Sequence, residues 1–271
     1  MKDDQIVELE RILLELKSVV VAYSGGVDST FLAAFATACL GSDHVRAVIA
    51  DSASLPRHEL EEALTTADLL GFELTIVKTN EFNDNRYIKN DALRCSYCKS
   101  ALMDAIGPIA IESGAQVVLG VNLTDQGDYR PGQQAASMAG ARFPLLEAKI
   151  TKEMVRQYAK QMGIPNHDKP ASPCLSSRIP YGTSINLSLL GRIERAERFL
   201  QGLGFAEVRV RDFDDTARIE VKKEQMLDLV VSANTVHKYL KKLGYTYVTL
   251  DLGGLVSGNL NLSLAEAQAP R

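Results

Sequence analysis

A five-residue apolar run, Val19–Tyr23, leads directly into the glycine loop Ser24–Ser29 (SGGVDS), and a helical pattern follows. Continuous apolar runs are typical of strands buried on both faces of a parallel sheet. The paired glycines permit a tight turn that brings backbone N–H groups close to an anion, and the next helix adds the partial positive charge of its N-terminus. This arrangement predicts a phosphate-binding loop at the first strand of an α/β sheet. The loop has no Walker A lysine, which disfavours the usual γ-phosphate transfer.

Three further apolar runs alternate with helical patterns in the first half of the chain: Arg46–Ala50, Phe72–Val77 and Gln116–Gly120. Strands that alternate with helices form right-handed βαβ crossovers, so we predict a doubly wound parallel sheet. The stretch Asn166–Thr183 is rich in proline and predicts a domain junction. We expect a first domain over residues 1–172 and a smaller α+β domain over residues 173–271.

The predicted second domain has a different order of elements. Val208–Arg211 and Ala217–Val221 flank an Asp-Asp turn, which predicts a hairpin. A helix over Lys223–Leu243 and a strand over Tyr245–Leu250 are expected to complete this α+β unit.

Composition and charge restrict the partners of the chain. Of its 271 residues, 46% are hydrophobic and 24% are charged, which are ordinary globular values. With a net charge of −4, the chain is not basic overall, as nucleic-acid binders generally are, although a local basic groove is compatible with this charge. The charged opening residues do not resemble a signal peptide, and no apolar run approaches membrane-spanning length. We expect a cytoplasmic protein with no membrane partner.

The four cysteines are Cys39, Cys95, Cys98 and Cys174. Two disulfides are disfavoured, because the cytosol keeps thiols reduced. Cys39 lies in an apolar stretch and is expected in the core. Cys95 and Cys98 form a C-x-x-C at a predicted helix start, where thiolates are favoured.

Cys174 lies in a proline-rich loop near Lys169 and Arg178, in positive surroundings that also favour a thiolate. A close cysteine pair with a distant third suggests a metal, a cluster or a reactive thiol. A zinc site at these cysteines is one hypothesis, because His167 would complete a Cys₃His tetrahedron.

The Ser24–Ser29 loop resembles the PP-loop of the ATP pyrophosphatases, which cleave ATP between the α and β phosphates. The resemblance implies that the ATP phosphates or their Mg²⁺ contact the following residues: Ser24, Gly25, Gly26, Val27, Asp28 and Ser29. It also places Asp51, at the end of the second predicted strand, where such folds meet the adenosine. A helix N-cap and a solvated loop carboxylate are the alternative roles of Asp51.

Longer strings resemble the LarE-type ATP-dependent sacrificial sulfur transferases, a branch of the same superfamily. The similar strings are Arg94–Lys99, Gly120–Gly132, Asp168–Gly182, Val208–Arg211 and Ala217–Glu220. The similarity spans residues 18–222. Enzymes of this type thiolate the ring carboxylates of a nicotinate-derived pyridinium mononucleotide, the precursor of a nickel-pincer cofactor.

The LarE-type resemblance implies a small nucleotide carboxylate as substrate, Gly120 in the cofactor site and a homo-oligomeric assembly. It also implies that ATP adenylates the carboxylate and that sulfur then displaces AMP. Met138 stands where the family pattern has an acidic residue, which leaves the identity of the substrate open.

The sulfur step takes two forms in this family. A lone loop cysteine gives up its own sulfur, whereas three cysteines can hold a [4Fe–4S] cluster whose open iron carries the donated sulfide. Since this chain has all three, the resemblance implies that Cys95, Cys98 and Cys174 ligate a cluster and that Cys174 is catalytic.

Two further pairs of charged residues are candidates for the site. Arg209 and Arg211 are two apart on a strand, so both face one side and would suit a substrate phosphate or carboxylate, or form a solvated face. Asp125 and Asp128 follow the fourth strand and would serve Mg²⁺ or substrate, or else cap a helix or pair with Arg130.

Two other functions remain open at this point. Some tRNA-thiolating PP-loop enzymes also use three cysteines and a [4Fe–4S] cluster, but the net charge of −4 counts against an RNA substrate. The other alternative is a nucleotide-binding protein without turnover.

Overall fold

The computed structural model describes residues 4–127, 131–256 and 259. In chain order, its helices and strands are α1 (Asp4–Leu16), β1 (Val19–Tyr23), α2 (Val27–Leu40), β2 (Val45–Asp51), α3 (Arg57–Leu70), β3 (Leu74–Lys78), α4 (Asn85–Ile88), α5 (Arg94–Ser113), β4 (Gln116–Leu119), α6 (Pro131–Met138), α7 (Pro144–Glu147), α8 (Lys152–Gln161), α9 (Leu187–Gly202), β5 (Val208–Phe213), β6 (Thr216–Val221), α10 (Met226–Val231), α11 (Ala233–Lys242) and β7 (Tyr247–Leu250). No helix within the described ranges is long and apolar enough to cross a membrane.

The chain forms two compact units. Unit 1 comprises Met1–Asp84 and Cys95–Ser172, and unit 2 comprises Asn85–Arg94 and Pro173–Arg271. The short segment Asn85–Arg94 thus packs with residues that follow it by some 80 positions or more. The assignment of residues 1–172 and 173–271 to two functional domains stays a prediction.

Unit 1 is built on a parallel sheet with the strand order β3-β2-β1-β4. In this sheet Val21 of β1 pairs with Ala47 on one side and with Val118 on the other. The predicted α/β fold class with a parallel sheet is confirmed. Strand order reverses between β1 and β4, and such a switch point is where ligands bind at the carboxyl ends of parallel strands.

The central strand β1 is buried along its whole length, as the apolar run predicts. Val19, Val21 and Tyr23 belong to a core that includes residues of α1, α2 and α8. Val20 and Ala22 belong to a second core that includes residues of α5 and β4. Because neither face of β1 meets water, this strand can present polar groups only at its ends.

Unit 2 contains a three-stranded sheet in the order β5-β6-β7. The predicted hairpin is present: β5 pairs antiparallel with β6 through a turn where Asp214 adopts a positive φ of 61°. The third strand, β7, runs parallel to β6. The apolar faces of the sheet pack with α9, α10 and α11 in a separate core.

The expectation of one helix over Lys223–Leu243 is wrong. A 3₁₀ turn at Lys223–Gln225 precedes α10, and the helical path breaks at Ser232 before α11 begins. The carbonyl of Ser232 accepts the N–H groups of both Thr235 and Val236 and so starts a new helix. With the chain divided into two shorter helices, Leu229 of α10 and Val236 of α11 both pack into the core of unit 2.

Gly120 is required where β4 ends beside the first turn of α2. A Cβ atom on Gly120 would lie 2.8 Å from the Ser29 backbone nitrogen and 2.9 Å from the Asp28 carbonyl carbon, closer than side-chain carbons approach backbone. Gly202, at the end of α9, has nothing within 4 Å of the position that a Cβ would occupy.

We expect Gly120→Ala to lower the free energy of unfolding by about 1–3 kcal/mol, because backbone has to shift to admit the methyl group. The matched change Gly202→Ala should leave stability unchanged or raise it by up to about 1 kcal/mol, since alanine favours helix. Urea denaturation monitored by circular dichroism measures both. Equal effects of the two substitutions would contradict the close approach.

Candidate functional site

The predicted phosphate loop lies between β1 and α2, at the carboxyl edge of the unit 1 sheet. Gly25 has a positive φ of 73°, and a Cβ there would come within 2.9 Å of the Ala63 side chain. Gly26 is extended and caps α2, whose first helical residue is Val27. The glycines therefore allow both the turn and its packing against α3.

Three hydroxyl side chains brace this loop. The Ser29 hydroxyl donates to the Gly26 carbonyl at 3.0 Å, and Thr30 Oγ1 donates to the same carbonyl at 3.0 Å. Ser24 Oγ lies 3.1 Å from Ser29 Oγ, and the Ser24 N–H donates to Ser29 Oγ at 3.2 Å. Ser24 is exposed while Ser29 is buried. The backbone of the loop is thus held in shape by its own side chains.

Asp28 is the charged residue of the loop, and two residues from distant parts of unit 1 hold it. Asn122 Nδ2 donates to Asp28 Oδ1 at 3.0 Å, and Lys152 Nζ forms an ion pair with Asp28 Oδ2. The Asn122 N–H also donates to Asp125 Oδ2 at 3.1 Å. Asn122 thereby links the two predicted carboxylates, Asp28 and Asp125. Asp128 lies outside the described residues.

Lys152 was not predicted, although it places a positive charge beside Asp28 of the loop. It occupies the first turn of α8, which Thr151 caps by accepting the Met154 N–H. A lysine in a first helical turn carries no sequence signal of a phosphate site. Its role follows only from its ion pair with Asp28, across 124 positions of sequence.

Asp51 ends β2 and pairs with Arg57. The Arg57 guanidinium also donates to the carbonyls of Ser52 and Leu55, at 2.6 and 2.7 Å. Asp51 is not a helix N-cap, since Pro56 holds that position at α3. Its predicted place beside the adenosine stays a prediction, and Arg57 is the partner that sequence reasoning missed.

The segment that follows α8 is tied to the phosphate loop and to α3. Asn166 Nδ2 donates to the Gly25 carbonyl at 3.0 Å and to Thr30 Oγ1 at 3.1 Å. Lys169 Nζ lies 2.7 Å from a carboxylate oxygen of Glu59 and 2.7 Å from one of Glu62. The charge of Lys169, expected near Cys174, is therefore engaged by two carboxylates within unit 1.

In unit 2, Cys174 precedes the 3₁₀ turn Leu175–Arg178 and is half-buried. Arg178 donates to the Pro173 carbonyl at 2.7 Å and to the Cys174 carbonyl at 3.3 Å. Its other nitrogens bind both carboxylate oxygens of Glu197, at 2.8 and 3.0 Å. Burial disfavours the charged guanidinium, but the Glu197 carboxylate raises the pKa of Arg178 above its ordinary value. Arg178 thus stays charged against the Cys174 backbone.

Arg211, predicted to face substrate, is buried in a bidentate pair with Glu220 at 3.0 and 2.7 Å. Its Nη1 donates to the Ser177 carbonyl at 2.7 Å. Arg209 is also buried and donates to the Val256 carbonyl at 3.1 Å. Burial, together with the charges of Arg211 and Arg178, lowers the pKa of Arg209. The alternative that Arg209 and Arg211 form a solvated strand face is therefore wrong. Their roles toward substrate stay predictions.

The C-x-x-C pair lies at the start of α5, as predicted, with Cys95 exposed and Cys98 half-buried. Burial lowers the pKa of the adjacent Lys99, and the two thiols oppose that shift. Among the described residues, no three His, Cys, Asp or Glu side chains are grouped so as to hold a metal ion. The cluster ligand set stays a prediction.

Three other predicted positions have clear surroundings. His167 Nδ1 lies 3.1 Å from the Ile164 carbonyl in unit 1. Cys39 packs partly buried against the core of unit 1. Met138 ends α6 with its side chain 89% exposed.

Comparison with known proteins links the chain to two groups of ATP-using enzymes. The profile of the NAD synthase family matches residues 9–92, which include the phosphate loop. An uncharacterized protein of Synechocystis sp. is 44% identical over 98% of this chain and 100% of its own length. The pyridinium-3,5-bisthiocarboxylic acid mononucleotide synthase of Lactiplantibacillus plantarum is 39% identical over 94% of this chain and 93% of its own.

Glu59 generates a pH-dependent prediction. Burial raises its pKa, but hydrogen bonds from His58, Lys169 and Ser172 outweigh this and lower it to about 2. A carboxyl whose pKa is lower in the folded chain stabilises it above about pH 4.3, the unfolded value, and loses that contribution as the pH falls toward 2.

We expect Glu59→Gln to lower the free energy of unfolding at pH 7 by on the order of 3 kcal/mol. The difference from the wild type should shrink below about pH 4.3, as seen in urea titrations between pH 2 and 7. Glu62→Gln is the matched control, because Glu62 contacts the same lysine but is exposed, and its loss should cost under about 1 kcal/mol. A pH-independent difference would contradict the low pKa.

Proposed function

Because the chain belongs to the LarE-type ATP-dependent sulfur transferases, a branch of the PP-loop ATP pyrophosphatases, we propose that it converts a ring carboxylate of a pyridinium mononucleotide into a thiocarboxylate. This is the product class in the name of the L. plantarum relative. The observation that carries the proposal is the glycine loop with Asp28 held between Asn122 and Lys152. Such a loop suits the binding of a triphosphate, and the family supplies the sulfur chemistry.

The first step is adenylation of the carboxylate. A carboxylate oxygen of the substrate attacks the α-phosphorus of ATP, the bond to the β-phosphate oxygen breaks, and pyrophosphate leaves. The acyl adenylate has AMP as a leaving group, whereas the free carboxylate has only oxide. Negative charge builds up on the phosphates during this step, so preorganised N–H groups and cations accelerate it.

The loop and Lys152 fit this requirement. The backbone of Gly25 and Gly26 and the start of α2 present N–H groups to the phosphates. Lys152 provides the nearby positive charge that a Walker lysine supplies in kinase-like loops. Asp28 and Asp125 would hold Mg²⁺, which needs only one or two carboxylates when phosphates and waters complete its octahedron.

The second step is sulfur transfer. A sulfur nucleophile attacks the acyl carbon, the bond from that carbon to the AMP oxygen breaks, and the thiocarboxylate remains. We propose that Cys174 takes part with Cys95 and Cys98 as ligands of a [4Fe–4S] cluster. When bound, the cluster would supply the donated sulfide and spare the cysteine sulfur.

Three cysteine thiolates are the donor set that a cluster with one open iron uses. Cys95 and Cys98 are three apart at the start of α5, so both lie on one face of the helix. The cluster itself rests on the three-cysteine pattern, and zinc at the same thiols is the competing occupant.

Lys152→Met should slow substrate-dependent pyrophosphate release by about 10- to 1,000-fold, because a cation at the developing charge is lost. Lys160→Met is the matched control, since Lys160 is exposed in the last turn of the same helix. It should change the rate less than about twofold. A coupled pyrophosphate assay measures both. Equal rates for Lys152→Met and the wild type would contradict the role of Lys152.

Cys174→Ser should abolish thiocarboxylate formation while pyrophosphate is still released, because adenylation does not use the thiol. Cys39→Ser is the control and should keep both activities, since Cys39 packs against the core of unit 1. Liquid chromatography with mass detection separates the two products. Formation of thiocarboxylate by Cys174→Ser would overturn the assignment.

Anaerobic purification followed by iron, sulfide and zinc analysis distinguishes the cluster from zinc. About four iron and four sulfide per chain are expected. Protein mass before and after turnover should be unchanged; loss of one H₂S from Cys174 would show self-sacrifice and overturn the cluster.

Tight tRNA binding at physiological salt would instead favour RNA thiolation. Light scattering tests the expected homo-oligomer.

A further inference from the structure

A ten-residue segment, Asn85–Arg94, belongs to unit 2 although both of its flanks belong to unit 1. We call it the 85–94 segment. It ends one residue before Cys95. Its packing partners lie within residues 176–185, which follow Cys174. Its buried polar side chains have no part in the chemistry derived above.

Arg94 joins the 85–94 segment to the turn after Cys174. Its Nη1 donates to the Ser176 carbonyl at 2.9 Å and to Asn90 Oδ1 at 2.7 Å. Its guanidinium carbon lies 5.4 Å from the centre of the Tyr181 ring. Arg94 is only 5% exposed, so the contacts are shielded from water and from salt.

Asn90 holds the far side of the same loop. Its φ of 56° is a left-handed conformation that asparagine tolerates better than most residues. Its Nδ2 donates to the carbonyls of Pro180 at 2.8 Å and Thr183 at 2.9 Å, and its own carbonyl accepts the Gly182 N–H at 3.0 Å. Asn90 is fully buried, so loss of its side chain would remove hydrogen bonds that water cannot readily replace.

Two further bonds contribute to the attachment. Tyr87 Oη lies 2.8 Å from Ser176 Oγ, and both residues are buried. The Ile185 N–H donates to the Ile88 carbonyl at 2.9 Å. The 85–94 segment therefore contacts the loop after Cys174 at residue 176 and again at residues 180–185.

We infer that Arg94 and Asn90 are positioning residues that hold the Cys174 turn in its working shape before any cluster or substrate binds. The inference rests on the proposed role of Cys174. Arg94 donates to the Ser176 carbonyl, and Asn90 donates to the carbonyls of Pro180 and Thr183, so the 85–94 segment holds the Cys174 loop at two places within unit 2. A preorganised turn spares the site the entropy of ordering a proline-rich loop at each turnover.

The test uses the full chain without iron and with iron. In Arg94→Gln, hydrogen–deuterium exchange of the backbone in residues 174–185 should speed up by about tenfold or more, because a buried charged hydrogen bond is lost. Exchange in the phosphate-loop peptide, residues 19–30, should stay the same. Thiocarboxylate formation should fall by about tenfold while pyrophosphate release stays within about twofold.

Three further variants separate positioning from general instability. Arg94→Lys should recover only part of the protection, because an ammonium does not reproduce the planar fork. Tyr87→Phe removes one hydroxyl contact and should change exchange less than about threefold. Asn90→Asp keeps an acceptor for Arg94 but replaces the Nδ2 donor with an oxygen that repels the carbonyls of Pro180 and Thr183. It should speed up exchange in residues 179–185, and it provides a test even if Arg94→Gln fails to fold.

Unchanged exchange over residues 174–185 in a folded Arg94→Gln or Asn90→Asp protein would overturn the inference. The iron-free measurement is independent of the proposed chemistry. If the wild type bound no iron or made no thiocarboxylate, the proposed function would fail while the exchange data still decided the positioning role.

Discussion

Burial of β1 on both faces is the constraint on which unit 1 depends. A strand that meets no water can place polar chemistry only at its ends, and the carboxyl end of β1 opens into the glycine loop. Gly120 lets β4 end directly against the first turn of α2, and Gly25 lets the loop pack on α3. The N–H groups of the loop are therefore held in place by the core itself, which limits how far the loop can move.

Ion pairs are the second feature that stabilises unit 1. Arg57 neutralises Asp51, Lys152 neutralises Asp28, and Lys169 is engaged by Glu59 and Glu62. Each of these pairs lies within unit 1. For the largely buried pair of Lys169 with Glu59, removal of one partner leaves an uncompensated charge, which costs more than the pair contributes when intact.

Unit 2 uses buried arginines to hold a backbone. Arg178 binds the carbonyls of residues 173 and 174, Arg94 binds that of residue 176, and Arg211 binds that of residue 177. Glu197 and Glu220 compensate two of these charges. A proline-rich segment supplies few N–H donors of its own, so side-chain donors take over the task of shaping it. Arg211, which the sequence predicted to face substrate, thus also holds the backbone at Ser177.

The sequence by itself determined the parallel α/β sheet, the buried central strand, the glycine loop between β1 and α2, the hairpin of unit 2 and the helical setting of the C-x-x-C pair. These features depend on local periodicity, chirality and turn chemistry, which a short stretch of residues carries. Only the tertiary structure decided that Asn122 and Lys152 meet Asp28 across 94 and 124 positions, that Asn166 reaches Gly25, and that Arg94 reaches Ser176. It also decided the break at Ser232, because burial of Leu229 and Val236 outweighed the helical pattern. Contacts between distant residues depend on how finished elements pack, and no local pattern encodes which side chains that packing brings together.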